Sequence, residues 1–286
     1  MFDFNSFLEI PPYSLDKAAK GALLTAALKD LSAHHLVHCE SYARMMAAVG
    51  FDPAACTNYE QIPFLPVSLF KDLDLRSVPS DQVFKTLTSS GTRGQAVSKI
   101  YLSREAAAKQ QKTLVKIVSS FTGAARMPML IIDSPSVIKN RAMFSARGAG
   151  ILGFSIFGAD RTYALDDEMK LDLSAIQAFL ARHAGQRILL FGFTFMVWQH
   201  FYKELLKLQS NKSCVLELSK GILIHGGGWK KLISEAVSPA EFQQRLTDVC
   251  GLSDVHDYYG MVEQTGCVYM QCECGHLHAS VFSDFC

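Results

Sequence analysis

A hydroxyl- and glycine-rich loop between two β-like runs is the first stretch of this sequence whose residues are suited to chemistry. Its phosphate-binding candidates are Thr88, Ser89, Ser90, Gly91, Thr92 and Gly94. Hydroxyl groups and free backbone N–H groups form an anion cradle, and Arg93 adds a positive charge. A polyphosphate would suit this loop, although it lacks the Gly-Lys-Ser/Thr ending of a Walker A loop. An ordinary Ser/Thr/Gly hairpin turn explains the same composition, and that alternative stays open.

Three consecutive glycines follow a later apolar run that ends in Ile224 and His225. The segment is Gly226, Gly227, Gly228 and Trp229. Glycines let another molecule approach the backbone, and ligands of open α/β sheets bind beyond the carboxyl ends of the strands. A flat nucleobase could lie on this turn, with Trp229 closing or supporting the site. The alternative is a glycine-rich strand-to-helix turn that places Trp229 in the core.

A single carboxylate follows two tyrosines and a glycine in the segment that contains Tyr259, Gly260 and Glu263. The glycine predicts a strand that ends in a tight turn, with Glu263 near the start of the next element. Because Mg²⁺ is usually held by one or two carboxylates together with substrate phosphates, Glu263 is a candidate magnesium ligand. A solvated surface glutamate is the alternative.

Soft metal ligands recur near the end of the chain. They are Cys272, Cys274, His276 and His278, with Cys250, His256 or Cys267 as a candidate further ligand. Alternate positions share one face of a strand, whereas a turn at Gly275 would give a Cys-x-Cys-x-His knuckle. Either arrangement suits a structural Zn²⁺. The spacing is not that of a standard zinc finger, so ordinary hairpin residues or redox thiols are the alternatives.

The elements around these motifs alternate between helices and apolar strands. A helical region is predicted from residue 14 to about 50, with Ser14 as its N-cap. Strands are predicted at Met129–Asp133, Phe154–Phe157, Arg187–Phe191 and Gly221–His225. The predicted helices include Thr194–Leu208, between the last two of these strands, and one after them that is capped by Ser238 before Pro239. Continuously apolar strands are typical of parallel sheets buried on both faces. The fold class is therefore α/β, a mostly parallel sheet with flanking helices and a helical leading segment.

Composition excludes several classes of protein. The 286 residues carry a net charge of +1, so nothing indicates a nucleic-acid partner, and 49% are hydrophobic, as in a globular chain. No apolar run reaches the roughly 18 residues of a membrane span. The N-terminus lacks a signal-peptide pattern, and eight cysteines are too few for a disulfide scaffold at this length. These features favour a reducing, cytoplasmic location.

In order and spacing, these motifs resemble those of the adenylate-forming enzymes. Thr88–Gly94 resembles their phosphate loop, Gly226–Gly228 their adenine loop, and Tyr259–Glu263 their Tyr-Gly-x-Thr-Glu motif, with Val262 in place of the usual Thr. More narrowly, the chain is similar to the acyl-protein synthetase (LuxE) family. Four segments carry this closer resemblance, which extends from about residue 35 to 270: Ile62–Lys71, Thr88–Thr92, Gly226–Lys230 with its Trp-Lys pair, and the Val262-Glu263 pair.

The resemblance implies ATP-dependent activation of a fatty or other carboxylic acid to an acyl-adenylate, followed by transfer to a protein thiol. A partner acyl reductase is then expected. The implied roles are phosphate binding by Thr88–Gly94, adenine binding by Gly226–Trp229 with Tyr259 and Gly260, Mg²⁺ binding by Glu263, and catalysis by Glu263, Thr92 and Lys99, the lysine after the loop. Two alternatives remain. One is an aryl- or acyl-CoA ligase, and the other is a non-catalytic nucleotide-binding subunit of a reductase complex.

The resemblance also implies a domain organisation. Residues 1–286 would form the large N-terminal domain of an adenylate-forming enzyme, with residues 1–75 as its mainly helical leading segment. The acid that binds the ribose, the small lid domain with its lysine, and the acyl-accepting cysteine are expected beyond residue 286. The apolar segment Phe191–Met196, at a strand end, is a candidate wall of the acyl pocket, with plain core packing as the alternative.

Overall fold

The computed structural model describes residues 2–89, 96–139, 146–211 and 216–285. The helices are α1 (Phe4–Glu9), α2 (Lys17–His38), α3 (Glu40–Ala48), α4 (Leu69–Asp72), α5 (Arg104–Thr122), α6 (Ser136–Lys139), α7 (Ala146–Phe154), α8 (Leu173–Arg182), α9 (Thr194–Met196), α10 (Lys203–Ser210) and α11 (Pro239–Cys250). The strands are β1 (Lys85–Thr88), β2 (Lys99–Leu102), β3 (Met127–Ile132), β4 (Gly158–Tyr163), β5 (Ile188–Phe193), β6 (Gly221–Gly226), β7 (Asp254–Tyr259), β8 (Tyr269–Gln271) and β9 (Leu277–His278). A π-helical stretch, Val197–Tyr202, joins α9 to α10. Among the described helices, none is both long and apolar enough to cross a membrane.

The chain divides into two compact units. The first consists of Met1–Phe121, Gly260–Val268 and Ala279–Cys286, and the second of Thr122–Tyr259 and Tyr269–His278. The first unit therefore contains the leading helices and the β1–β2 hairpin. The second contains all of the strands of the larger sheet.

The leading helix α2 begins later than its predicted start. Asp16, not Ser14, is the N-cap, because its carboxylate accepts a hydrogen bond from the Ala19 N–H at 2.8 Å. The Ser14 hydroxyl donates instead to the carbonyl of Pro11 at 3.0 Å. Cys39 then separates α2 from α3, so the predicted helical region is two helices.

Aromatic residues from both ends of the sequence form the small core of the first unit. Phe7 packs edge to face on Phe282, with ring centroids 5.3 Å apart. The Tyr59 hydroxyl donates to Asp284 at 2.8 Å, and Lys20 lies 3.2 Å from the other oxygen of that carboxylate. The segment after residue 279 is thus tied to the leading helices by both apolar and polar contacts.

The second unit is built on a seven-stranded sheet with the order β4-β3-β5-β6-β7-β8-β9. The first five of these strands pair in parallel, and the last two add antiparallel strands at one side. Every residue of β3, β5 and β6 is buried, which explains their continuously apolar sequences. Helices α8, α10 and α11 pack with the sheet in one hydrophobic cluster. This arrangement confirms the predicted α/β fold with a mostly parallel sheet.

One predicted strand was wrong. Residues Ser155–Phe157 form a short 3-10 turn, and the strand that follows, β4, begins only at Gly158. Phe154, the last residue of α7, stacks on Phe191 of β5 with ring centroids 4.4 Å apart. The apolar run is therefore buried by packing onto the sheet, and a short apolar run alone does not distinguish that placement from a strand.

Phe179 of α8 is fully buried against the sheet, so truncation should leave a cavity in the second unit. We expect Phe179→Ala to lower the free energy of unfolding of that unit by about 3–5 kcal/mol. Because Trp198 and Trp229 both belong to the second unit, tryptophan fluorescence during urea unfolding reports on it.

The control is Phe64→Ala, which removes the same side chain where it is 73% exposed. This variant should stay within about 0.5 kcal/mol of the parent. Similar midpoints for the Phe179→Ala variant and the parent would contradict the packing described for α8.

Candidate functional site

The carboxyl ends of four parallel strands lie at one edge of the sheet in the second unit. Their register places Ile132 beside Gly192, Gly192 beside His225, and His225 beside Asp257. The next row brings Gly226 beside both Phe193 and Tyr258. Residues that follow β3, β5, β6 and β7 are therefore presented together, at the edge where open α/β sheets bind ligands.

The glycine turn after β6 requires its glycines for different reasons. A Cβ at Gly226 would lie 2.5 Å from the carbonyl oxygen of Tyr258, and one at Gly227 would lie 2.5 Å from the ring of Phe193. Gly227 and Gly228 also have φ values of +82° and +67°, which disfavour other residues. Apart from Gly228 and its two chain neighbours, no described residue has an atom within 4 Å of a Cβ built on Gly228. The turn thus packs tightly on the strand ends and leaves its outer backbone open to another molecule.

Trp229 faces both the core and a small cavity. Its ring packs edge to face on Trp198 and on Phe242, with centroids 5.0 and 5.9 Å apart. The indole is half-buried, and it also lines a cavity of about 50 Å³ with neighbours that include His225 and Asp257. Much of the Trp229 ring therefore packs in the core, as the alternative interpretation of the glycine segment predicted.

A buried polar cluster holds the start of the glycine turn. The Thr194 hydroxyl lies 3.1 Å from the Gly226 carbonyl and 3.0 Å from His225 Nδ1. Since the hydroxyl donates its only proton to the carbonyl, it accepts from Nδ1–H, and this sets the histidine tautomer. Burial lowers the pKa of His225 to about 3, whereas burial raises the pKa of Asp257 to about 6. His225 is therefore neutral, and its 3.7 Å contact with Asp257 is not an ion pair.

The two tyrosines at the end of β7 have opposite surroundings. Tyr258 packs beside Phe154 and Phe191, and burial raises its pKa. Tyr259 is 49% exposed and stacks on Tyr269 with ring centroids 6.1 Å apart. Because successive strand residues point to opposite faces, Tyr259 is the tyrosine that a ligand could reach.

Glu263 lies in the first unit, on a turn and not at the start of a helix or strand. The Gln264 N–H donates to the Met261 carbonyl at 3.1 Å within this turn, and the Glu263 side chain is half-buried. Gly266 has a φ of +83°, and a Cβ there would lie 2.9 Å from the Cα of Gln110 in α5. Close packing on α5 therefore holds the turn that carries Glu263. Gly260, which precedes it, is exposed.

The hydroxyl-rich loop is carried by the β1–β2 hairpin of the first unit. Thr88 pairs directly with Lys99, and both side chains are exposed, so they are cross-strand neighbours. The Ser89 N–H donates to the Ser98 carbonyl at 3.2 Å, and the Ser89 hydroxyl accepts from the Ser98 N–H at 3.0 Å. Ser89 thus adds a further pair of hydrogen bonds between the two chain segments, directly beyond the last paired residues of β1 and β2. The other predicted loop residues, Ser90, Gly91, Thr92 and Gly94, lie outside the described residues.

The zinc interpretation receives no support. The set comprises Cys272, Cys274, His276 and His278, and in the described part of the chain no three His, Cys, Asp or Glu residues are grouped to hold a metal. Strand β8 ends at Gln271, and a tight turn follows in which the Cys272 N–H donates to the His276 carbonyl at 2.9 Å. Cys272, Cys274 and His276 therefore lie in the turn and His278 lies in β9, so the four residues do not alternate along one strand. His256 uses both ring nitrogens, bonding Asp254 and the Gln271 carbonyl at 2.8 Å each.

Two charged residues at the sheet edge, Asp133 and Arg147, were missed by the motif analysis, and no role was predicted for a third, Lys230. Asp133 follows β3 and is 1% exposed, and Arg147 Nε lies 2.9 Å from its Oδ2. Burial raises the pKa of Asp133, and the guanidinium opposes that rise. Lys230 follows Trp229 and lies above two phenylalanine rings. A charged residue directly after a wholly apolar strand was the available signal for Asp133.

Solved structures with a similar fold are adenylate-forming ligases. An open conformation of 2-hydroxyisobutyryl-CoA ligase in complex with 2-HIB-AMP and CoA has a TM-score of 0.62 at 13% identity, covering 90% of this chain and 54% of that one. The same ligase in the postadenylation state with 2-HIB-AMP has a TM-score of 0.63 at 12% identity, covering 91% and 54%. At these identities the likeness shows the fold alone.

Sequence comparison identifies a narrower group. The long-chain-fatty-acid–luciferin-component ligase of Aliivibrio fischeri is 24% identical over 219 residues, which are 73% of this chain and 55% of that protein. The chain thus spans about half the length of this relative. The family model described as "Acyl-protein synthetase, LuxE" matches residues 4–286. With nearly all of its residues matched, the chain belongs to the acyl-protein synthetase (LuxE) family.

Proposed function

We propose that this chain uses ATP to activate a fatty or other carboxylic acid and passes the acyl group to a protein thiol. The carboxylate oxygen would attack the α-phosphorus of ATP, pyrophosphate would leave, and an acyl-adenylate would form. The thiol would then attack the acyl carbon, forming a thioester and releasing AMP and a proton. Family membership and the fatty-acid ligase among its relatives support this function. The single structural observation that carries it is the glycine turn after β6, whose open backbone at Gly228 lies at the ligand-binding edge of a parallel sheet.

The proposal assigns a part of ATP to each motif. The phosphate set is Thr88, Ser89, Ser90, Gly91, Thr92 and Gly94, and the adenine set is Gly226, Gly227, Gly228, Trp229, Tyr259 and Gly260. The exposure of Tyr259 and the open face of Gly228 are what adenine binding needs. Lys99 is exposed beside Thr88, where an ammonium could approach the phosphates. Activation of this kind depends mostly on positioning and charge neutralisation.

Glu263 is the proposed magnesium ligand. A single half-buried carboxylate on a turn anchored to α5 fits a hydrated Mg²⁺, which needs one or two protein carboxylates when phosphates complete its shell. The ion would supply charge neutralisation at the phosphates. The chain's own contribution is to hold that carboxylate in place.

The wider assignments follow from the same proposal. Residues 1–286 correspond to the large domain of the adenylate-forming fold, and the reaction belongs in the cytoplasm, where ATP is supplied. An acyl reductase would be a suitable consumer of the acylated protein.

ATP–pyrophosphate exchange tests the activation step. In a protein that joins residues 1–286 to the lid domain and accepting cysteine implied by the resemblance, we expect exchange that requires a fatty acid, and transfer of label from radioactive fatty acid to protein and not to added CoA. Label on CoA would instead identify an acyl-CoA ligase. Absence of exchange with acids of every chain length would contradict the proposed activation.

Gly91→Asp tests the hydroxyl-rich loop. A carboxylate placed against phosphate should weaken ATP binding at least about 100-fold, because like charges in contact cost several kcal/mol. The binding can be measured by equilibrium dialysis. Ala55→Asp adds the same charge on an exposed turn of the first unit and should bind ATP as the parent does. Equal affinities of the two variants would contradict the phosphate assignment.

Glu263→Gln tests the magnesium ligand. The amide keeps the shape of the side chain and removes its charge, so we expect exchange to fall about 100-fold and to need more Mg²⁺ for half-maximal rate. Glu273→Gln, on the exposed turn between β8 and β9, is the matched control and should leave both quantities unchanged. An unchanged Mg²⁺ requirement in Glu263→Gln would remove this residue from the proposed site.

A further inference from the structure

Lys230 combines a constrained backbone with an unusual position for its charge. Its φ is +49°, in the left-handed region that few non-glycine residues occupy. Its Nζ lies 4.7 Å from the ring centroid of Phe195 and 5.6 Å from that of Phe193. No ion pair joins it to a carboxylate of the described residues. Its pKa is lowered, mainly by partial burial and to a smaller extent by the positive charge of the nearby Arg147. The glycine turn thus directs an ammonium group over an apolar surface.

The neighbouring charges leave this ammonium uncompensated. Arg147 is matched by Asp133, whose Oδ2 lies 2.9 Å from its Nε and which is almost fully buried. Arg147 therefore already has a carboxylate partner, whereas the described residues provide no ion-pair partner for Lys230. Lys230 is an exposed residue with a second cation nearby, and a charge in that position is stabilised when a partner of opposite sign joins it, so this place favours an anion.

The surface beneath Lys230 is apolar and rigidly held. Phe193 is enclosed by two glycines, because a Cβ at Gly150 would lie 2.8 Å and one at Gly227 2.5 Å from its ring. Phe195 is half-buried beside it, and the buried Met196 contacts Arg147, whose Nη1 lies 3.6 Å from the sulfur. A ligand that reaches Lys230 therefore meets a cation at one end and the half-buried ring of Phe195 at the other. This combination fits an amphiphilic anion better than an isolated phosphate.

We propose that Lys230 binds the carboxylate of the acid substrate and that Phe195 begins the apolar surface along which its carbon chain lies. The inference rests on the proposed function and names the group that selects an acid from other lipids. Lys230 acts only by binding the carboxylate. It neither exchanges a proton nor forms a covalent bond with the substrate.

The test compares decanoate with decanol, which share a chain length and differ in charge. Isothermal titration calorimetry of the full chain should show that Lys230→Met weakens decanoate binding about 10- to 100-fold and leaves decanol binding unchanged. Lys230→Arg should retain most of the preference for the acid, since it keeps the charge. Lys231→Met removes an adjacent exposed lysine and should behave as the parent.

Unchanged decanoate affinity in Lys230→Met would overturn the proposal, as would an equal loss of decanol affinity. A raised KM for ATP with normal decanoate binding would identify Lys230 as a phosphate ligand and would also overturn it. These binding measurements need no turnover. Failure of the proposed function, seen as absent exchange in the parent, is therefore distinguishable from failure of this inference.

Discussion

Parallel pairing of the central strands is the constraint on which the rest of the second unit depends. Strands β3, β5 and β6 are buried on both faces, and β7 continues their parallel register, so a one-residue slip would disrupt the packing on two sides at once. Because parallel strands end at the same edge, side chains far apart in sequence are brought to one row. Thr194, His225 and Asp257 meet there although no local pattern connects them.

The glycine turn shows how that edge is shaped by close packing. Two of its glycines are required because neighbouring strand ends leave no room for a Cβ, and the third leaves its backbone uncovered. The hydroxyl of Thr194 secures the first carbonyl of the turn, and a neutral histidine secures the hydroxyl. Neutrality matters because a charged imidazole would be costly in that buried position. Hydrogen bonds thus hold the buried start of the turn at Gly226, whereas the backbone at Gly228 faces open space.

Charge at the same edge is arranged unevenly. Arg147 is matched by a buried carboxylate, whereas Lys230 lies over aromatic rings, which attract a cation but do not neutralise it. A separate feature is the turn between β8 and β9, whose hydrogen bonds fix the positions of the cysteine and histidine residues that were candidate zinc ligands. Cys272 and its neighbours lie on a tight, largely exposed hairpin turn. The candidate zinc ligands therefore do not line up on one face of a strand.

Sequence alone determined the fold class, the order of the motifs and the family, because continuously apolar strands, the Ser238 cap and motif spacing are local signals that survive without knowledge of contacts. Two predictions from the sequence were wrong, the helix cap at Ser14 and the strand at Phe154. Several residues near a helix start can serve as its cap, and a short apolar run does not distinguish a strand from a helix or turn that packs on the sheet. Only the tertiary structure decided the neutrality of His225, the pairing of Asp133 with Arg147 and the position of Lys230. Those properties arise from burial and from neighbours distant in the chain, which no local pattern encodes.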